Sequence, residues 1–206
     1  KDGVRVPVDV HVMPIKYKGK MVGAIEVFRD ASIYERMEQQ RERAKTLAHV
    51  DSLTSLPNRR FMNKKLRFEI SKFKKYKDHL HVAIADLDHF KRINDTYGHE
   101  KGDLVLRRAA SIMDSTLRAT DFVARYGGEE FVLILPNTPK ENSRIALERV
   151  RSNIAKARII GKAGDVTASI GATRAKSCDT PESIIARADK ALYLAKNSGR
   201  NNVKYK

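Results

Sequence analysis

The run Arg125-Tyr126-Gly127-Gly128-Glu129-Glu130-Phe131, set between apolar stretches at 121–126 and 130–135, constrains this chain more than any other feature. Only Gly127-Gly128-Glu129-Glu130 joins the two stretches, far too little for the crossover that parallel strands need. They must pair as an antiparallel hairpin. Two carboxylates then sit at the tip of a rigid turn, where they could hold a hard cation; taken alone, an ordinary solvated turn is the other reading. Upstream, the apolar run His81-Val82-Ala83-Ile84-Ala85 leads into Asp86-Leu87-Asp88 and puts a carboxylate at a strand end where the hairpin could meet it. Magnesium prefers carboxylate oxygens, a backbone carbonyl, water and phosphate, and these loops can supply them.

Around the hairpin the pattern alternates between helices and strands. Helices are expected near 58–76, 100–117, 139–157 and 181–197, with a short one after Asp88, and further strands near 80–87, 165–174 and 202–205. The expected fold class is α+β, a central mixed and largely antiparallel β-sheet flanked by helices. Asp88 suits the N-cap of the short helix. The basic stretch from Lys64 to Lys77 carries Leu66, Phe68, Ile70 and Phe73 near helical spacing, so these read as core.

Three segments follow from the change of pattern: 1–31, 32–50 and 51–206. In the first, Val4, Val6, Val8, Val10 and Val12 alternate, Lys18-Gly19-Lys20 turns, and Met21 to Phe28 return, which makes a β-hairpin. It resembles the last two strands of a PAS sensor domain. In the second, Ile33, Met37, Gln40, Ala44 and Leu47 follow a heptad and suggest a signalling helix that pairs with a second copy. A surface helix packed on its own domain is the alternative.

The net charge of +16 favours anionic partners such as nucleotides, nucleic acid or an acidic membrane, but no nucleic-acid motif accompanies it, so nucleic acid is not expected. The only cysteine, Cys178, excludes an internal disulfide and points to the cytoplasm. No apolar run reaches the ~20 residues that cross a bilayer, so no membrane segment is expected in a chain that reads as a piece of a longer protein, one that could itself be membrane-anchored.

Over 51–206 the chain resembles the GGDEF family of diguanylate cyclases. Asp51-Ser52-Leu53-Thr54-Ser55-Leu56-Pro57-Asn58-Arg59-Arg60-Phe61 is similar to its opening motif, with Ser55 where glycine is usual. Asp86-Leu87-Asp88-His89-Phe90-Lys91, Asn94-Asp95, Gly98-His99 and Gly102-Asp103 match its nucleotide-binding stretch, and Gly127 to Phe131 is its name-giving motif in the glutamate variant. The resemblance implies a ferredoxin-like palm of the nucleotide-cyclase type. It also implies that two GTP molecules are condensed into cyclic di-GMP plus two pyrophosphates.

Residue roles follow from the same resemblance. Asp86, the Leu87 carbonyl and Glu129 would hold magnesium, two ions per site, with manganese able to substitute. Glu129 and Glu130 would act in catalysis, one ordering the metal shell and one helping to deprotonate the attacking hydroxyl, roles that the sequence does not separate. Asn94 and Asp103 would read guanine, with His99 lining the pocket or making a structural hydrogen bond. Backbone amides around His89, Phe90 and Lys91, with Lys196 and Arg200, would meet phosphate; a basic helix C-cap is compatible with the last two. Each chain would supply half a site, which requires a homodimer. Arg118-Ala119-Thr120-Asp121 and Arg149 resemble the family's inhibitory site for the product, a surface salt bridge being the alternative. A catalytically silent module that binds GTP or cyclic di-GMP as a signalling relay is the alternative for the whole domain.

Overall fold

A computed structural model describes residues 7–32, 34, 37, 49–160 and 166–206. The chain divides into two compact units, Lys1–Ala48 and His49–Lys206. In the first, β1 (Val8–Tyr17) and β2 (Lys20–Asp30) form an antiparallel ribbon in register from Val8↔Asp30 to Tyr17↔Lys20. Lys18 and Gly19 both take positive φ, which matches the twist of a tight hairpin. Every residue of both strands is exposed. Of the expected linker helix, Ser32, Tyr34, Met37 and His49 are described and helical; its heptad positions Ile33, Gln40, Ala44 and Leu47 lie outside the described residues.

The second unit holds a five-stranded sheet in the order β4-β5-β3-β6-β7, where β3 is Leu80–Leu87, β4 Phe122–Arg125, β5 Glu130–Pro136, β6 Ala168–Arg174 and β7 Val203–Tyr205. All pairings are antiparallel except β6 with β7. The fold class expected from sequence is the one observed, a mixed and largely antiparallel sheet between helices. On the central strand β3, Ala83, Ala85 and Leu87 face one hydrophobic cluster and Leu80, Val82 and Ile84 the other, the period-2 signature of a strand buried on both sides.

The first cluster packs under α2 (Phe90–Tyr97), α3 (His99–Thr116) and α4 (Lys140–Lys156). The second packs under α1 (Arg59–Tyr76) and α5 (Pro181–Asn197). Helix starts are chemically marked: Asn58 caps α1 by accepting from the Phe61 amide at 3.0 Å, and Thr180 with Ser183 forms a capping box before α5. Among the described residues, no helix is long and apolar enough to cross a membrane.

Phe68 departs from the expected core. The buried stripe of α1 is Met62, Leu66, Ile70 and Phe73, set by steps of four and three, and Phe68 lies two residues from Leu66, on another side of the helix. It is 56% exposed, with the Lys65 and Lys72 ammoniums each 5.6 Å from its ring centre. Strand β6 begins at Ala168 rather than near 165.

Helix α5 lies directly on β6, because Gly171 has no side chain. A Cβ there would strike the backbone of Leu192 and Ala188. Backbone cannot swing aside as a side chain can, so the helix itself would have to move. Gly171→Ala should cost about 3 kcal/mol or more, read as a drop in Tm, and should displace Lys196 at the far end of α5. A Tm equal to wild type would show that the contact is less tight than the packing implies.

Candidate active site

The register of β3 and β5 sets Asp86 opposite Glu130. Directly opposed residues share a sheet face, so both carboxylates rise on the α1/α5 side, in line with Ile84. Glu129 stands one residue before, on the turn, and its carbonyl accepts from the Leu87 amide at 3.3 Å. The Tyr126 and Gly127 amides donate to the Glu130 carbonyl at 2.8 and 3.3 Å and close the turn. Neither Gly127 nor Gly128 takes a positive φ. A Cβ on Gly127 would crowd Glu130 Oε2 at 3.0 Å, whereas one on Gly128 would meet nothing, so Gly128 leaves the tip open.

Two carboxylates, Asp86 and Glu130, feel the charge of one lysine here. Lys196 Nζ lies 2.8 Å from Asp86 Oδ2. Burial pushes the Asp86 carboxyl above its ordinary value; Lys196 opposes this, while Glu129 and Asp88 add to it. Burial also raises Glu130, with Asp86, Asp189 and Glu129 adding and Lys196 opposing. Among the described residues, no three His, Cys, Asp or Glu side chains converge to hold a metal ion by themselves. That donor set still fits magnesium, which commonly takes one or two carboxylates and completes its shell with carbonyl, water and phosphate.

Asp88 is not the helix N-cap. The N-cap of α2 is His89, at φ 56° and with no side-chain cap bond. Asp88 is instead 5% exposed and accepts from Thr167 Oγ1 at 2.7 Å, Ser169 Oγ at 2.6 Å and the Asn201 amide at 3.0 Å. It prefers these because a buried carboxylate needs several donors at once, which one helix turn cannot give. The first turn of α2 is thereby left without a side-chain cap. Phe90 is buried in the core at 7% exposure, so only its backbone faces that terminus, and Lys91 is exposed.

A glycine lets Asn94 approach the start of α3. A Cβ on Gly102 would strike Asn94 Oδ1, so the Asn94 amide rests on the first turn of α3, beside Asp103. Both are half-buried, while His99, the first residue of α3, is exposed. Arg200 is exposed and holds φ 61° in the turn after α5, next to Asn201, which Asp88 anchors. A cleft of about 430 Å³ opens beside Glu130, between Arg59, Tyr126, Ile185 and Asp189; Asn94 and Asp103 do not line it.

Arg118, Asp121 and Arg149 gather away from these carboxylates. Asp121 Oδ2 accepts from the Arg118 amide at 3.1 Å, and Arg149 Nη2 donates to the Thr116 carbonyl at 2.7 Å. Burial raises the Asp121 carboxyl, against the pull of the Arg118 amide and of both arginine charges. Its Oδ1 is buried without a hydrogen-bond partner. Among the described residues there is no Arg118–Asp121 side-chain ion pair of the kind the sequence left open.

The family profile described as "Diguanylate cyclase, GGDEF domain" matches residues 48–202. The chain belongs to the GGDEF family. This GGDEF chain is 41% identical over 174 residues to diguanylate cyclase DgcP of Pseudomonas aeruginosa, across 84% of this chain and 25% of that relative. It is 38% identical over 208 residues to diguanylate cyclase DgcM of Escherichia coli, across 98% of this chain and 48% of that one. The chain thus spans between a quarter and a half of these relatives' length. Among solved structures it matches the coiled coil and GGDEF domain of DgcB from Caulobacter crescentus in complex with c-di-GMP, with a TM-score of 0.81 and 32% identity over 85% of this chain and 95% of that one. It also matches an active GGEEF domain of a diguanylate cyclase from Vibrio cholerae, with a TM-score of 0.69 and 33% identity over 73% and 97% of the two chains.

The GGDEF hairpin has a clamp to which the sequence reading gave no role. Arg125 Nε and Nη2 donate to the Gly128 carbonyl at 3.2 and 2.8 Å, and Nη1 reaches Asp51 Oδ1 at 3.1 Å. Asp51 is itself fixed by the Thr54 amide and hydroxyl, which with Arg125 hold its carboxyl below the ordinary value although burial opposes them. Ser55, where the family favours glycine, keeps φ 60° and donates its amide to the Asp51 carbonyl. Both partners lie inside quoted motifs, but a pairing across 74 residues has no periodicity to betray it. Arg125→Lys keeps the charge and loses the fork, so it cannot hold Gly128 and Asp51 together. It should lower GTP turnover about tenfold with the fold intact by circular dichroism; unchanged turnover would show that the turn holds its shape without the clamp.

Proposed function

We propose that this domain is the catalytic half-site of a diguanylate cyclase, and that two copies facing each other convert two GTP into cyclic di-GMP and two pyrophosphates. The observation that carries this reading is the set Asp86, Glu129 and Glu130 at the meeting of β3 and β5, with Lys196 against it and the Asn94–Asp103 pair on the neighbouring helices. The names of the relatives support it.

Asp103 accepts hydrogen bonds from guanine N1–H and the exocyclic amine, and Asn94 supports the same edge. Adenine, which presents an acceptor at N1, leaves that carboxylate unpaired, so GTP is selected over ATP. Amides at the uncapped start of α2, together with Lys196 and Arg200, bind triphosphate oxygens. Asp86, the Leu87 carbonyl and Glu129 would hold magnesium, or manganese in its place, which would neutralise triphosphate charge and acidify the attacking hydroxyl. Glu129 and Glu130 would order the metal shell and accept the proton of the 3′-hydroxyl. The 3′-oxygen bonds to the α-phosphorus of the other GTP, the bond from that phosphorus to the pyrophosphate oxygen breaks, and repetition closes the ring.

The single base-reading pair per chain is what makes a homodimer necessary. Residues 32–50 are read as the helix that brings two domains together, and 1–31 as the tail of a PAS-like sensor whose exposed strands need cover. A chain consuming GTP and carrying a lone exposed thiol at Cys178 suits the cytoplasm.

Incubation with GTP and magnesium, followed by nucleotide chromatography, tests the reading directly. Cyclic di-GMP is expected, and Glu129→Gln should lower its formation at least ~100-fold. GTP binding without any cyclic dinucleotide at any protein concentration would assign the signalling relay instead.

Arg118, Asp121 and Arg149 are proposed to bind the product. Arginine forks suit phosphate and stack on guanine, and a carboxylate such as that of Asp121 can accept from a guanine edge. Binding in the micromolar range is expected, about 8 kcal/mol. Arg118→Ala should abolish it and raise final product yield without raising the initial rate. Superimposable progress curves for variant and wild type would exclude a role in inhibition.

A further inference from the structure

The carboxylate read as a metal ligand already has a cation of its own. Lys196 Nζ sits 2.8 Å from Asp86 Oδ2, with the Asp86 side chain only 8% exposed and that of Lys196 34% exposed. The two ends of this pair are built differently. Asp86 is fixed on the central strand, locked in register with Glu130 on one side and Ser169 on the other. Lys196 is in the last turn of α5, just before the turn that carries Arg200, and its ammonium rides on a flexible four-carbon stem. The acid cannot leave the site, whereas the ammonium can.

Two features make the pairing more than a surface ion pair. Asp86, Glu129 and Glu130 all act on one another electrostatically, and Lys196 is the cation that opposes them at both Asp86 and Glu130. An incoming divalent cation would therefore meet an ammonium on the same carboxylate, and like charges at that separation repel strongly in a partly buried site. A triphosphate would change the balance, because its oxygens would offer Lys196 a new anionic partner.

We propose that Lys196 is an exchangeable counter-ion: it holds Asp86 until nucleotide arrives, then passes to the triphosphate and frees Asp86 for the divalent cation. This inference rests on the active-site assignment above. It gives Lys196 a role in the order of assembly, distinct from holding phosphate. Metal alone binds weakly, metal and nucleotide each strengthen the other, and by linkage the strengthening is the same in both directions. The acidic cluster is thereby kept from taking up free cations when no substrate is present.

The test uses the full chain and Mn2+ as the probe, with free ion followed by electron paramagnetic resonance. Without nucleotide, Lys196→Met should bind Mn2+ about tenfold more tightly than wild type, within the usual size of coupling between neighbouring sites. Lys196→Arg, which keeps the charge, should resemble wild type. A non-hydrolysable GTP analogue should then tighten Mn2+ binding more in wild type than in Lys196→Met. Thermal unfolding checks that each variant is folded, and Lys196→Gln replaces the methionine variant if that one is not. Equal Mn2+ affinity in wild type and the neutral variant, with Asp86→Asn weakened, would overturn the exchange and leave the metal assignment standing. Unchanged binding in Asp86→Asn would remove both.

Discussion

Asp88 is the buried carboxylate on which the geometry of the site depends. It receives two hydroxyls, from Thr167 and Ser169, and the Asn201 amide, while its own amide donates to the Thr167 carbonyl at 2.9 Å. A buried charge without such donors would cost several kcal/mol, so the three segments that supply them are held where Asp88 needs them. Those segments are the start of β6, the residues leading into it, and the turn that follows α5. Two residues before Asp88 stands Asp86, and one residue before Asn201 stands Arg200. A structural carboxylate thus fixes the distance between the strand end that carries Asp86 and the turn that carries Arg200.

Asp86 and Asp88 show how one sequence motif can hold two different chemistries. Asp88 is satisfied by neutral donors built into the fold, and nothing that binds could replace them cheaply. Asp86 is satisfied by one flexible ammonium at 2.8 Å and has acidic neighbours that keep it short of positive charge. The first arrangement is rigid and closed, while the second rests on one long, flexible side chain. Around them, close packing supplies the precision: Gly171 lets α5 bring Lys196 to the carboxylates, Gly102 lets Asn94 lie beside Asp103, and Arg125 ties the turn at Gly128 to Asp51. Small shifts in any of these would misplace a charged group.

Much of this was legible in the order of residues. The antiparallel hairpin follows from the shortness of its connection, the alternation of helices and strands from periodicity, and the α+β class from both together. Asp86 at the end of an apolar strand and Glu129-Glu130 on a tight turn were recognisable as a meeting of carboxylates, because a strand end and a hairpin tip are local features. Helix starts at Asn58 and Thr180 carry their own chemical marks. In each case the deciding interaction spans a few residues, and the sequence therefore contains it.

What tertiary structure alone decided involves partners far apart in the chain. Asp88 looked like a helix cap because its near neighbours offered a cap, and it became a buried acceptor because Thr167, Ser169 and Asn201 arrive from 79, 81 and 113 residues away. Phe68 had the apolar character of core, but its position around α1 places it in solvent under two lysines. The Arg125–Asp51 clamp and the Lys196–Asp86 pair likewise join segments that only the folded sheet brings together. A sequence states what each group can do within its own turn of chain; which distant group satisfies a buried charge is settled by packing, since only there do desolvation and the geometry of the donors compete.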